Sequence, residues 1–399
     1  MNGNEFGRLF RMTTYGESHG EAMGCTVSGV PAGVELSEEE IQKDLDRRKP
    51  GQSMITTSRG EPDKVSIQSG IQDGYTTGTP VGMVIQNKDA RSGKYEPFIT
   101  APRPSHGDFT YSAKFGTRNW GGGGRSSARE TVNWVAAGGI AKQVLDQSEY
   151  DVQIKAHVCQ IGDVEAGEVT FEDMLEHSEE NEVRCADPEA AEEMRDLADE
   201  YQKEGDSIGG AIYFECRGVP SGLGAPRFDS FPSRLAQAMY SIPAVNDFEY
   251  GIGREARTTR GSEYNEDWEF DGDGHPVPEG NDHGGIQGGI TTGQPIYGEV
   301  SWHPPVSIPK TQKTVDWETG EEKEITVTGR HDPVLPPRAV PVVEAMLACT
   351  VLDFMLLSGR INPDRLDGRP GEYDTAYHPS SPQNDPEDAD THATTIDDE

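Results

Sequence analysis

The stretch Tyr15-Gly16-Glu17-Ser18-His19-Gly20 sets a histidine between small residues in a tight turn, where it is exposed and can titrate near neutral pH; a turn histidine with a backbone partner is the other reading of that stretch taken alone. A second histidine, His106, stands in Pro102-Arg103-Pro104-Ser105-His106-Gly107. Arginines recur beside glycine and proline: Arg47 and Arg48 before Lys49-Pro50-Gly51, then Arg59, Arg103, Arg125, Arg129 and Arg330. Guanidinium binds carboxylate and phosphate bidentately and never loses its charge. The run Gly121-Gly122-Gly123-Gly124-Arg125-Ser126-Ser127-Ala128-Arg129-Glu130 leads straight into a helix. Glycines let backbone amides approach an anion, and the helix start adds free N–H groups and a favourable dipole. A flexible glycine loop is the other reading of that run taken alone. It is neither a Walker loop, since Gly-Lys-Ser/Thr is absent, nor a Rossmann fingerprint, since no clear buried strand precedes it. Asp332 follows Arg330 and His331, and beside an arginine it stays ionised unless burial opposes it. Two titratable histidines, one carboxylate and many arginines point to a multiply anionic small molecule handled by acid–base chemistry.

Several elements must position these residues. Cys25 to Val30 alternates as a strand and turns at Pro31-Ala32-Gly33. Ser37, Glu38 to Glu40, Ile41 and Leu45 spell an N-cap, an acidic first turn and an apolar stripe, so a helix ends near Arg48. Ala211 to Arg217 reads as a strand, Gly218-Val219-Pro220-Ser221-Gly222 echoes Gly29-Val30-Pro31-Ala32-Gly33, and Phe231 to Met239 reads as a helix. The echo suggests two related halves, about 7–160 and 207–358. Ala128 to Leu145 and Pro341 to Leu357 are apolar all round and belong at the centre of the fold. Between the halves, 162–206 reads as an acidic, exposed helical insertion. Residues 1–364 make one catalytic domain, and 365–399 lose apolar periodicity and read as an acidic disordered tail.

The net charge is −35, from 70 acidic and 35 basic residues. Such a chain repels nucleic acid and anionic membranes. The acid is spread from Glu35 to Glu399 rather than blocked, which fits adaptation to high salt, where screening makes self-repulsion cheap. The five cysteines form no CxxC and no leader precedes the first motif, so reduced thiols in a cytoplasm are expected, with no metal. No apolar run approaches the ~20 residues of a membrane helix.

Gly16 to Gly33, Gly121 to Gly139, and Gly329-Arg330-His331-Asp332-Pro333 through Ala348 resemble, in order and spacing, the three signature regions of chorismate synthase. Smaller matches lie at Asp46 to Gly51, Glu204 to Gly209 and Gly284 to Ile290, and the similarity runs from about Gly7 to Ser358. The resemblance implies an α+β fold: a β-α-β sandwich in which two antiparallel sheets cover a central helical layer. It implies an anti-1,4-elimination of phosphate from 5-enolpyruvylshikimate 3-phosphate that needs reduced FMN without net redox change. It also implies a homotetramer. With no added reductase domain, an external reductant is expected, NADPH serving only indirectly. By position, His19 with Ser18 resembles the group that protonates the leaving phosphate, His106 the one that protonates reduced flavin, and Asp332 the carboxylate serving the C6 hydrogen. Arg47, Arg48, Arg103, Arg129 and Arg330 match substrate-binding arginines. Arg125, Ser126, Ser127, Ala244, Gly288, His303, Pro304, Pro305, Val306, Ser307 and Arg330 match flavin-binding positions. Met54 replaces an arginine common in relatives, His303 a lysine, and Pro305-Val306 more polar residues. A flavin-binding protein without lyase activity would need the loop and arginines but not both histidines and Asp332; a plain acidic structural protein would need none of them.

Overall fold

The computed structural model describes residues 3–50, 62–88, 92–272, 274–328 and 331–366. Met54, Arg59, Gly329, Arg330 and the tail from 367 onward lie outside the described residues.

Two five-stranded antiparallel sheets enclose a layer of helices. The first sheet centres on Ala22–Ser28, between Arg11–Gly16 and Val81–Gln86. The second centres on Gly210–Arg217, between Gln153–Ile161 and Ile296–Trp302. Inward residues of these strands are apolar and fully buried: Met23, Cys25 and Val27 in one, Ile212, Phe214 and Cys216 in the other. Against them lie Glu38–Arg48, Thr131–Asp146, Phe231–Ser241 and Pro336–Leu357. The first helix begins where its sequence predicts, with the Ser37 hydroxyl accepting from the amides of Glu39 and Glu40.

The helix expected from Pro341 begins five residues earlier, at Pro336. Pro336 and Pro337 sit in the first turn, where missing amides cost nothing. Pro341 lacks the N–H that would bond the carbonyl of Pro337, and the guanidinium of Arg184 donates to that carbonyl instead. The same helix corrects a second expectation. Its 22 residues are long and apolar enough to cross a membrane, yet 94% of its most apolar window is buried inside the protein. It is the innermost element, packed on Thr131–Asp146, where Gly138 meets Ala345 so closely that a Cβ would lie 2.3 Å from the alanine Cβ.

The echoed Gly-Val-Pro turns share their contacts as well as their sequence. The Thr76 hydroxyl donates to Pro31 O at 2.6 Å and accepts from Val34 N at 2.9 Å; the Thr291 hydroxyl donates to Pro220 O at 2.7 Å and accepts from Leu223 N at 2.9 Å. Each threonine ends a two-residue hairpin, Ile71–Gln72 with Tyr75–Thr76 and Ile286–Gln287 with Ile290–Thr291. Residues 162–206 carry a short strand, Val164–Glu165, and two helices, Phe171–His177 and Pro188–Glu204. The second of these buries Ala190, Ala191, Met194 and Ala198, so the segment is docked rather than wholly exposed.

Candidate active site

The ends of the central helices supply the cations. Arg48 closes the first helix, Arg129 stands in a single 3-10 turn just before Thr131–Asp146, and Arg338 lies in the first turn of Pro336–Leu357. All three line one cavity of about 430 Å³, together with Arg103. That volume is in the ordinary range for small-molecule sites. Arg48 is 3% exposed and pairs with Asp63 at 2.7 Å; Arg129 pairs with the other oxygen of Asp63 at 2.9 Å. Burial, set against the Asp63 charge and reinforced by Arg338 and Arg129, pulls the Arg48 pKa down to about 10, still cationic at neutral pH. Arg103 is gripped by Asp108 through Nε at 2.8 Å and Nη2 at 2.9 Å. Burial opposes ionisation of Asp108, but bonding and charge from Arg103 win and hold its pKa below the usual range.

The acid–base groups face the same space. Ser18 donates to Gly122 O at 2.9 Å, which fixes the turn presenting His19. A Cβ on Gly122 would lie 2.3 Å from the His19 ring, so only glycine fits there. His19 meets Tyr95 edge-on, with centroids 5.1 Å apart. His106 lies 2.9 Å through Nδ1 from Pro104 O and 2.7 Å through Nε2 from Ser307 Oγ. A carbonyl can only accept, so Nδ1 carries the proton and Nε2 of the neutral ring accepts from Ser307. Burial foremost, then the Arg103 charge, lowers the His106 pKa and favours that neutral ring. Asp332 lines the cavity and pairs with Arg338 at 2.5 Å.

Of the other positions singled out in the sequence, Ser126, Ser127, Ala244, His303, Pro305, Val306 and Ser307 also line the cavity. Pro304 does not, and its carbonyl lies 2.8 Å from His303 Nδ1. Gly288 sits in the hairpin turn at φ 60° and does not line it either. Arg47 points away, into an ion network with Glu344 at 2.7 Å, Glu179 at 2.6 Å and Asp44 at 2.8 Å. Arg125 lies against the first sheet, bonded to Glu130 at 2.7 Å and Thr14 at 2.8 Å. The cavity adds residues that sequence reasoning missed: Tyr95, His331 and Arg338. Arg338 follows Pro336-Pro337, and arginine beside proline was the pattern that marked the others.

A cavity with four arginines, two histidines and a carboxylate, at the helix ends of a two-sheet sandwich, has the charge and the titratable groups an enzyme needs to take a small polyanion. The family model for chorismate synthase matches residues 10–356. Chorismate synthase of Haloarcula marismortui is 94% identical over 399 residues, all of both chains. That of Methanosarcina mazei is 51% identical over 368 residues, covering 92% of this chain and all of the relative. A solved structure titled "Crystal Structure of Chorismate Synthase" superposes with a TM-score of 0.72 at 30% identity, covering 90% of this chain and 94% of that one. The chain belongs to the chorismate synthase family. It is a carbon–oxygen lyase that eliminates phosphate from 5-enolpyruvylshikimate 3-phosphate to give chorismate, the last step of the shikimate pathway.

Proposed function

We propose that the cavity lined by His19, His106, Asp332 and four arginines is the site of this elimination. The observation that carries the reading is the gathering of Arg48, Arg103, Arg129 and Arg338 in one cavity of a chain with net charge −35. A substrate with one phosphate and two carboxylates is desolvated there only against matched cations. Arg48, Arg103 and Arg129 bind those anionic groups, with Arg330 as a further substrate or cofactor contact. Arg47 is left the part of tying the first helix to Glu344. His19 gives a proton to the phosphate as it leaves C3, and Ser18 holds the turn that aims it. The Asp332 carboxylate accepts the proton lost from C6, and its contact with Arg338 orients it.

The residues present fit reduced FMN. Pro243, Ala244, Pro305, Val306 and Leu335 form an apolar wall beside the hydroxyls of Ser126, Ser127 and Ser307. At Gly123 a Cβ would stand 3.3 Å from Ser126 Oγ and 3.6 Å from Arg103 Nη2, filling the space beside them. Those residues, with His303, would hold the cofactor, whose reduced ring supplies electron density to the reacting substrate. His106 serves the cofactor side through Nε2 and the Ser307 hydroxyl, while the Pro104 carbonyl holds its Nδ1. Arg125 and Gly288, off the cavity wall, serve the cofactor only by supporting that wall. An external reductant supplies the reduced flavin, with NADPH acting indirectly, and the active form is a homotetramer in a salt-rich cytoplasm. Residues 1–364 form one catalytic domain of two related halves with 162–206 inserted, a division supported by the repeated threonine clamps.

The test is anaerobic phosphate release with chemically reduced FMN in high salt. Release that requires the reduced form is expected. Binding of oxidised FMN with no phosphate release under either condition would overturn the assignment.

A further inference from the structure

Arg48, at the end of the first helix, and Arg129, in the 3-10 turn before Thr131–Asp146, line the same cavity, and one carboxylate, Asp63, bonds both, while Arg48 Nε also donates to Thr131 Oγ1 at 3.1 Å. The Asp63 side chain is completely buried, with Oδ2 2.7 Å from Arg48 Nη1 and Oδ1 2.9 Å from Arg129 Nη1. Asp63 is itself held from the first helix: the Gln42 amide donates to Asp63 O at 3.3 Å and accepts from Val65 N at 3.1 Å. Its backbone lies at φ 44°, a conformation that aspartate and asparagine tolerate better than most residues. Asn87, at the end of Val81–Gln86, reaches the same arginine from the other side. Its Oδ1 accepts from Arg129 Nε at 2.7 Å, while its Nδ2 donates to Glu17 O at 3.0 Å and Gly20 O at 2.8 Å. Those two carbonyls bracket Ser18 and His19. One amide therefore joins the anion-binding arginine to the turn carrying the proton donor.

We propose that Asp63 and Asn87 are positioning residues for the elimination: Asp63 spaces Arg48 and Arg129 as one anion-binding pair, and Asn87 fixes that pair relative to His19. The inference rests on the reading of the cavity as the substrate site. Clustered guanidinium groups repel one another, and a buried carboxylate that bonds each through a separate oxygen both neutralises and orients them. Misplacing a reacting group by a fraction of its bond length to the substrate costs rate rather than affinity, so the two residues separate in kinetics.

The test uses the full-length enzyme with FMN. Affinity for 5-enolpyruvylshikimate 3-phosphate and for inorganic phosphate is measured calorimetrically with oxidised FMN, and turnover anaerobically with reduced FMN. Asp63→Asn keeps shape and backbone preference but presents an amide N–H to a guanidinium. It is expected to weaken binding of both ligands about tenfold and to raise KM alike, with kcat changed less than about threefold. Asp63→Glu keeps the charge and recovers part of that affinity. Asn87→Ala is expected to lower kcat about tenfold or more while FMN affinity stays at the parent value. Asp63→Asn binding within about twofold of the parent would overturn the role of Asp63, as would equal losses in Asp63→Asn and Asp63→Glu. Unchanged kcat in Asn87→Ala would overturn that of Asn87. A parent that released no phosphate would refute the functional reading, and the phosphate affinities would still decide the place of Asp63.

Discussion

His19, His106 and Asp332 share one cavity but have different surroundings, so their loss should differ in kind. His19→Ala and His106→Ala are each expected to slow turnover by about 10²–10⁴, the usual range for general acid–base groups, while substrate and FMN affinity stay near the parent's. Asp332→Asn keeps the Arg338 contact in shape but cannot take up the C6 proton. It should cost at least as much and show the largest isotope effect with substrate deuterated at C6. Anaerobic steady-state kinetics on the three variants checks this, and wild-type turnover in both histidine variants would remove the chemistry from these positions. The histidines and most of the arginines were legible because each stands in a short stretch of glycine and proline that an ordinary surface residue does not need. Asp63 was not. It is one of 70 acids, fifteen residues past Arg48, and nothing local marks it; only the fold brings its two oxygens onto Arg48 and Arg129.

The strand Gln153–Ile161 carries a titration that belongs to the docking of its neighbour. His157 is 2% exposed, and its Nδ1 accepts from Ala186 N at 3.3 Å in the segment leading to Pro188–Glu204. Burial lowers its pKa to about 4. The ring is neutral in the fold and protonates more readily unfolded, so its contribution is complete above the unfolded pKa near 6.5 and is lost as pH falls toward 4. A shift of that size corresponds to about 3 kcal/mol. Urea denaturation of His157→Gln should lack that part of the acid loss, and parallel curves for parent and variant between those pH values would refute it. At the helix–helix contact, Gly138→Ala would drive a methyl into Ala345 and should destabilise by about 1–3 kcal/mol, read as a lowered Tm with the FMN site intact. The elements themselves were largely legible, since capping, turn residues and apolar runs act locally. Pro341 misled because proline is usually a boundary, and here a guanidinium from another element takes over the carbonyl it releases.

Over the whole molecule, charge and cavity have opposite sign. A net charge of −35 repels itself across a surface whose Debye length is roughly 10 Å at 0.1 M salt and 3 Å at 1 M. Melting temperature and activity should both rise from dilute buffer to molar KCl, and a Tm unchanged over that range would sink the high-salt reading. The repeated turn was half legible. The Gly-Val-Pro turn stood out, but the longer echo of Gly70-Ile71-Gln72-Asp73-Gly74-Tyr75-Thr76-Thr77-Gly78-Thr79-Pro80 in Gly285-Ile286-Gln287-Gly288-Gly289-Ile290-Thr291-Thr292-Gly293-Gln294-Pro295 lay unread, and it holds the threonines that clamp the turns. The position of Pro336–Leu357 has a consequence for how the protein is made. The innermost helix is the last of the described helices to leave the ribosome, after every strand it must hold apart has already been synthesised. At ordinary elongation rates of roughly 5–20 residues per second, the sheets wait many seconds with their inner faces lacking this cover. A nascent chain stalled near residue 330 should therefore be cut readily by protease and bind chaperones, and one stalled after the helix has cleared the exit tunnel should not.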